Sequence, residues 1–413
     1  MSTPILVLNC GSSSIKFALF DAARDPLPRK PLWAGKVEGI GGKYTRLLES
    51  DAAPVTLALD GKTPYRAALQ HVRALVERQT GGQPPAALAH RVVHGGTKYA
   101  TPVRVERRVL AELKTYIPLA PLHQPFALEA IEVLLSELPH LPQVACFDTA
   151  FHRSLPQVEQ MMALPYEQWE RGLRRYGFHG LSYEYMTTAL VERHGEAARG
   201  RTIVAHLGSG ASLCAMHDLR SVATTMGFSA LDGLMMGTRC GALDPGVLLH
   251  LMDAEGLDGK QLTHLLYHES GLLGVSGVSA SPKDLLEIEH TNPRARIALD
   301  LFVRRVVREI GALTAVLGGL DMLAFTAGIG ENSAVLRERI CAALGWLGIA
   351  IDHDANRSHA AKISQRTSPV RVAVEPTNEE WMAACHAVAT LRDPNATTPV
   401  PELVADACDV AQP

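Results

Sequence analysis

The fold turns on the stretch Val7-Leu8-Asn9-Cys10-Gly11-Ser12-Ser13-Ser14-Ile15-Lys16-Phe17 and on its later echo, Ala205-His206-Leu207-Gly208-Ser209-Gly210-Ala211-Ser212-Leu213-Cys214-Ala215-Met216. Each reads as an apolar strand, a turn of small residues and a returning strand. A hairpin rich in Gly and Ser brings backbone N–H groups and hydroxyls close to a phosphate, because no bulky side chain blocks the approach. One such turn is an ordinary hairpin. Two at matching places point to a duplicated α/β architecture, with a polyphosphate gripped in a cleft between two similar lobes. Neither turn is a Walker loop: Lys16 follows the serines, and no Gly-x4-Gly-Lys-Ser/Thr occurs.

Beyond these two turns, residues 65–78 have helical spacing, with Ala68, Val72 and Leu75 on one face. Residues 88–93 form a strand that runs into His94-Gly95-Gly96. Residues 127–138 form a helix, and the strand 144–147 ends at Asp148. A second unit opens with the strand 202–207 and returns over 213–216. A long helix with an apolar stripe covers 296–317. The strand 322–326 leads into Ala327-Gly328-Ile329-Gly330-Glu331-Asn332, expected as a glycine-containing turn before a helix at 333–344. The strand 370–374 precedes Thr377-Asn378-Glu379-Glu380, a helix-start signature for a helix over 381–390. The expected division is a first lobe of residues 1–150 plus about 381–396, a second lobe of 151–380, and a loosely ordered tail over 397–413.

A chain of 413 residues is long enough for two domains. With 47% hydrophobic against 20% charged residues it can bury a large core, which excludes a disordered chain. A net charge of −3 carries no basic footprint for nucleic acid, so a polyphosphate must be met by locally placed donors. The cysteines, Cys10, Cys146, Cys214, Cys240, Cys341, Cys385 and Cys408, are odd in number, widely spaced and free of any Cys-x-x-Cys pair. That pattern fits reduced thiols in a cytoplasm and not disulfides or a zinc site. No signal-peptide pattern opens the sequence, and the longest mostly apolar stretch, 310–320, is too short to span a bilayer. A soluble cytoplasmic protein with no membrane partner is expected.

Several residues stand out chemically. Arg91 and Val93 alternate onto one strand face, where a guanidinium beside a branched apolar side chain suits a small carboxylate with a short alkyl tail; a structural ion pair is the alternative for Arg91. Arg239 lies in the apolar loop Met235-Met236-Gly237-Thr238-Arg239-Cys240-Gly241, where a charge needs a partner. Asp148 ends a strand, and strand ends of α/β folds point into clefts; it aligns a nucleophile, holds a metal or caps the next segment. His179, between Gly177 and Gly180, is placed to donate to transferring phosphoryl oxygens. The glycines of 327–332 open the backbone to an anion at a helix start. Glu379 and Glu380 also serve as first-turn acids.

Taken together, LNCGSSSIKF, HRVVHGG, PLAPLHQP, FDTAFH, RRYGFHG, HLGSGAS, GLMMGTRCG, ESGLLGVSG, GGLDMLAFTAGIGENS and PTNEE closely resemble, in order, the acetate kinase family. That family belongs to the acetate and sugar kinase and actin superfamily. The resemblance implies a duplicated, ribonuclease H-like (actin-like ATPase) fold with an interlobe active-site cleft. It implies reversible, magnesium-dependent (or manganese-dependent) transfer of a phosphoryl group from ATP to acetate, giving ADP and acetyl phosphate for acetyl-CoA synthesis. It also implies a homodimer. By the same resemblance Asn9 and Glu379 serve the metal. Ser12, Ser14 and Lys16 form the first phosphate turn, and His206, Gly208, Ser209 and Gly210 the second. Arg91, Asp148, His179 and Arg239 are catalytic. Val93, Leu122, Phe178 and Ala230 line the methyl pocket with Arg91. Ser281, Pro282, Lys283 and Ala327, Gly328, Ile329, Gly330, Glu331 and Asn332 enclose the nucleoside.

Three positions depart from the family pattern. Ser209 stands where Asn is common. Ala230 stands where Pro is usual, which predicts better use of propionate. Ser281-Pro282-Lys283 replaces an acid and an Arg, and Lys stacks more poorly than Arg, so GTP or pyrophosphate are alternatives to ATP as donor. Acetate has no proton to lose at neutral pH, so Asp148 is expected to orient groups and not to act as a general base. The other readings of the chain are a propionate or short-chain carboxylate kinase and a non-enzymatic nucleotide-binding protein on the same fold.

Overall fold

A computed structural model describes residues 3–50, 52–59 and 62–393; the tail expected over 397–413 and Cys408 lie outside them. The chain divides into two compact units, Met1–Ala150 with the C-terminal segment from Glu380, and Phe151–Glu379.

The first unit is built on an eight-stranded sheet of order β5-β4-β3-β2-β1-β6-β8-β7. Its strands are β1 (Pro4–Cys10), β2 (Ser14–Asp21), β3 (Trp33–Glu38), β4 (Thr45–Glu49), β5 (Val55–Leu57), β6 (Ala87–Val92), β7 (Val103–Arg104) and β8 (Gln143–Phe147). Ile5, Leu6, Val7 and Leu8 of β1 are all buried. A central strand covered on both faces needs such a continuous apolar run and not an alternating one. Helices Pro64–Gln79 and Gln124–Glu137 pack here, with Leu69, Val72 and Leu134 against Leu6 and Leu8. Each such side chain contributes roughly 1.5–3 kcal/mol by leaving water.

The second unit has a five-stranded sheet of order β11-β10-β9-β12-β13. Its strands are β9 (Thr202–Leu207), β10 (Ala211–His217), β11 (Arg220–Thr224), β12 (Met322–Thr326) and β13 (Arg371–Val374). This order repeats β3-β2-β1-β6-β8 strand for strand. In each unit the first three strands are antiparallel neighbours, and the remaining two run parallel to the first. The fold is therefore duplicated. The parallel strands end together on one edge, at Cys10, Val92 and Phe147 in one unit and at Leu207, Thr326 and Val374 in the other. The long helix Pro293–Leu317 backs the second sheet. Asn292 caps its first turn through Arg294 N and Ala295 N, and Gly318 at φ 68° ends it. Its buried stripe, Ala295, Ala298, Leu299, Phe302, Val306, Ile310 and Leu313, follows the helical repeat.

Four local expectations change. Asn9 and Cys10 belong to β1, so the first turn is shorter than residues 9–14. β6 ends at Val92, so Val93 lies past the strand and alternation does not pair it with Arg91. The stretch Ala327–Asn332 is a short helix in its own right and not a turn. It stops because the buried guanidinium of Arg337 takes the carbonyls of Gly330 (2.8 Å) and Glu331 (2.7 Å), while Ser333 starts the next helix, Ala334–Ala343, by accepting from Leu336 N. The last helix begins at Glu379, earlier than Trp381, and both glutamates fall in its first turn.

Candidate active site

In the first unit, three of the expected residues meet. Arg91 donates through Nε (3.0 Å) and Nη2 (2.6 Å) to the two oxygens of Asp148, and through Nη1 to Asn9 Oδ1 (3.3 Å). Asp148 is buried at 1% exposure, while Arg91 keeps 22% of its side chain exposed. A planar guanidinium held bidentately by a buried carboxylate is fixed in orientation. Asp148 thus aims Arg91, and its neighbouring strand end brings Asn9 alongside. Ser12 and Lys16 are exposed, Ser14 and Leu122 half-buried, and Val93 buried. Gly11 N–H donates across the turn to Ser14 O at 2.8 Å.

In the second unit the groups are brought together by glycines. A Cβ at Gly210 would lie 2.9 Å from Arg239 Nη2 and 3.1 Å from His179 Nε2. Both nitrogens therefore converge on the backbone of the second turn. Gly208 sits likewise against Ala327 Cβ (3.6 Å) and His206 Nε2 (3.8 Å), and its N–H donates to Gly210 O. The rings of His179 and His206 stack, with centroids 4.0 Å apart and planes at 15°. Arg239 Nη1 donates to Ala230 O at 2.6 Å, a neutral carbonyl.

Local structure holds these groups in costly positions. His179 (φ 59°) and Ala327 (φ 65°) lie in the left-handed region, which disfavours residues with a Cβ. Gly177 (φ 72°) precedes them because His152 packs where its Cβ would be, at 2.4 Å. Burial pushes the His152 imidazole down to about 4, so it is neutral. Its Nε2–H donates to Phe178 O, and its Nδ1 accepts from Ser221 Oγ. That bond anchors the peptide just before His179.

The nucleoside-side residues are less tightly gathered. Glu331 Oε1 accepts from Thr377 N (3.1 Å), tying the short helix to the segment after β13, and Asn332 Nδ2 donates to Gly328 O (2.9 Å) within that helix. Ser281 caps the helix Pro282–Ile288 by accepting from Asp284 N, and Lys283 is exposed. Ala280 packs against Gly237, two residues from Arg239. Ile329 is half-buried and Ser209 exposed.

Sequence reasoning passes over the hydroxyls beneath the histidines. Ser182 and Tyr183 follow His179 at three and four residues on the helix Gly180–His194, and Ser212 is the second residue of the buried strand β10. That i+3, i+4 spacing is the signal that could have found them. Arg337, whose partners are amide and carbonyl oxygens and the His359 ring, leaves no signal in the sequence.

A magnesium ion asks for hard oxygen donors, keeps several waters and takes one or two carboxylates plus substrate phosphates. Asn9 and Glu379 are such donors. Among the described residues no group of three or more His, Cys, Asp or Glu could hold a metal alone, which a phosphate-bridged ion does not need.

Fold and site together define a duplicated α/β protein in which one unit gathers Arg91, Asp148 and Asn9 and the other gathers Arg239, His179 and His206 around the turn at Gly210. A model of the acetokinase family matches residues 4–385, and the chain belongs to that family. It is 48% identical over 391 residues to an acetate kinase of Rhodopseudomonas palustris, covering 94% of this chain and 98% of the relative. Among solved structures it resembles an acetate kinase of Porphyromonas gingivalis, with 36% identity, a TM-score of 0.84 and coverage of 94% of this chain and 100% of that one. It also resembles a propionate kinase of Francisella tularensis, at 35% identity and a TM-score of 0.87, covering 94% and 99%.

Proposed function

We propose that this chain catalyses reversible transfer of the γ-phosphoryl group of ATP to acetate, giving ADP and acetyl phosphate. The observation that carries the reading is the convergence of Arg239 Nη2 and His179 Nε2 over the backbone of Gly210. Two positive or N–H-bearing groups aimed at one small space suit the spreading charge of a transferring phosphoryl group.

In this reading Arg91, held by Asp148, takes the acetate carboxylate, with Val93, Leu122, Phe178 and Ala230 around the methyl group. One carboxylate oxygen attacks the γ-phosphorus, and the bond to the β,γ-bridging oxygen breaks with its electrons going to ADP. No proton leaves acetate, so Asp148 orients Arg91 and does not act as a base. Ser12, Ser14 and Lys16 meet the transferring group, while His206, Gly208, Ser209 and Gly210 meet the donor phosphates. Ser281, Pro282, Lys283 and the segment from Ala327 to Asn332 enclose the nucleoside. Asn9 and Glu379 would hold magnesium, or manganese, whose charge offsets that of the phosphates.

The rest of the functional reading has its own support. The helix Pro245–Asp253 buries none of its residues and exposes Val247, Leu249 and Met252 beside Leu243, which suits a homodimer face. Cys10, Cys146, Cys214 and Cys341 are buried free thiols, in keeping with a reducing cytoplasm. Among the described residues no helix is long and apolar enough to cross a membrane.

The test is trapping of acyl phosphate by hydroxylamine. Acetate, ATP and magnesium should give acetyl hydroxamate stoichiometric with ADP, with GTP and pyrophosphate as parallel donors and propionate as parallel acceptor. ADP formation without hydroxamate, or no turnover of any donor, would sink the proposal.

A further inference from the structure

The two stacked histidines stand on two chains of buried hydroxyls. His179 Nδ1 lies 2.8 Å from Ser212 Oγ, which lies 2.6 Å from Tyr183 Oη. His206 Nδ1 lies 2.8 Å from Ser182 Oγ, which accepts from Thr377 Oγ1 at 2.8 Å. Ser182, Ser212 and Tyr183 are all at 0% exposure, so water does not reach them.

Counting hydrogens decides the direction of the first chain. Tyr183 and Ser212 have one hydroxyl hydrogen each, and the two oxygens and His179 Nδ1 are the acceptors within reach. If Nδ1–H donated to Ser212, one of the two hydroxyl hydrogens would be buried without an acceptor, which is costly. Both are satisfied only when Tyr183 donates to Ser212 and Ser212 donates to Nδ1. In the second chain Thr377 donates to Ser182, which leaves the Ser182 hydrogen for His206 Nδ1.

We infer that Tyr183–Ser212 and Thr377–Ser182 are positioning pairs that hold His179 and His206 as neutral imidazoles with the proton on Nε2. This rests on the proposed catalytic role of His179 and deepens it. The proton then sits on the nitrogen that faces the Gly210 backbone beside Arg239. Protonating His179 would set a second cation beside the Arg239 guanidinium, so its neutral donor form is favoured. Phosphoryl transfer gains a fixed N–H donor without a charge that would bind the ground-state phosphates more tightly still.

The experiment uses the full chain labelled with nitrogen-15 in its histidine rings, with His179→Gln to assign the His179 signals. Long-range proton–nitrogen spectra should show His179 as the Nε2–H tautomer from about pH 6 to 8. Tyr183→Phe should give mixed tautomers and lower kcat by about 10-fold, with both KM values nearly unchanged. Ser212→Ala should act in the same direction. An unchanged His152 signal checks that the fold persists. An Nδ1–H tautomer or an imidazolium in the unaltered protein would overturn the inference, as would Tyr183→Phe that leaves tautomer and kcat as they were. If the tautomers behave as expected but His179→Gln keeps full kcat, the proposed role of His179 fails while the hydrogen-bond relay stands.

Discussion

The two units repeat one strand plan but secure their arginines and turns by different means. In the first, Arg91 is held by a buried carboxylate and the turn beside it is roomy: a Cβ at Gly11 would come no nearer than 3.7 Å to Ser14. In the second, Arg239 is held by the carbonyl of Ala230, and the turn is packed against the functional groups themselves. Gly11 and Gly208 each donate across their turns, to Ser14 O three residues on and to Gly210 O two residues on, so each turn is closed from its first glycine. What differs is the compensation: charge in one unit, close approach in the other. A duplicated scaffold thus carries two unlike ways of holding an arginine.

Removing each arginine in turn puts this contrast under the greatest load. Arg91→Ala and Arg239→Ala should each lower kcat/KM by about 10³-fold, since both groups are assigned to transition-state charge. Their effects on stability should part. Arg91→Ala strips a carboxylate of 1% exposure of both guanidinium bonds and should cost about 3 kcal/mol. Arg239→Ala removes the bond to the neutral carbonyl of Ala230, a loss that should cost about 1 kcal/mol. Urea unfolding beside the hydroxamate assay reads both. Equal losses of stability would show that charge compensation does not distinguish the units.

A glycine pair tests the turns. Gly210→Ala places a methyl group 2.9 Å from Arg239 Nη2 and 3.1 Å from His179 Nε2. The end of an arginine side chain swings away easily, so the fold should survive while kcat drops about 100-fold through misplacement. Gly11→Ala meets only ordinary contacts and should change kcat by about 3-fold or less. The packing contrast fails if Gly11→Ala proves the more damaging.

The smallest expected effect concerns the carbonyl that holds Arg239. Ala230→Pro keeps that carbonyl but adds bulk, so the propionate-to-acetate ratio of kcat/KM should fall by about 3-fold, at or below the low end of what one methylene is worth. An unchanged ratio would separate Ala230 from the acyl pocket.

Much of this architecture is legible in the amino-acid sequence. The apolar runs of β1, β9 and β12 read as buried strands because residues covered on both faces must be apolar throughout. The small residues between them read as turns for the reason that makes them useful: they leave the backbone bare. Boundaries are less legible. Ala327–Asn332 reads as a loop because two glycines disfavour a helix, but its helical turn is completed by Arg337 from the next helix. Val93 reads as a strand residue because alternation cannot tell where a strand stops.

The duplicated α/β plan, the family and the residue types assigned to the phosphates all follow from the order of residues alone, since apolar periodicity and glycine placement are local properties of the chain. How those residues are held does not. That Asp148 grips Arg91, that Ala230 supplies a carbonyl to Arg239, and that buried hydroxyls stand beneath His179 and His206 are contacts between segments far apart in the chain or on different elements. Such contacts depend on which side chains lose water together, and burial is a property of the folded whole.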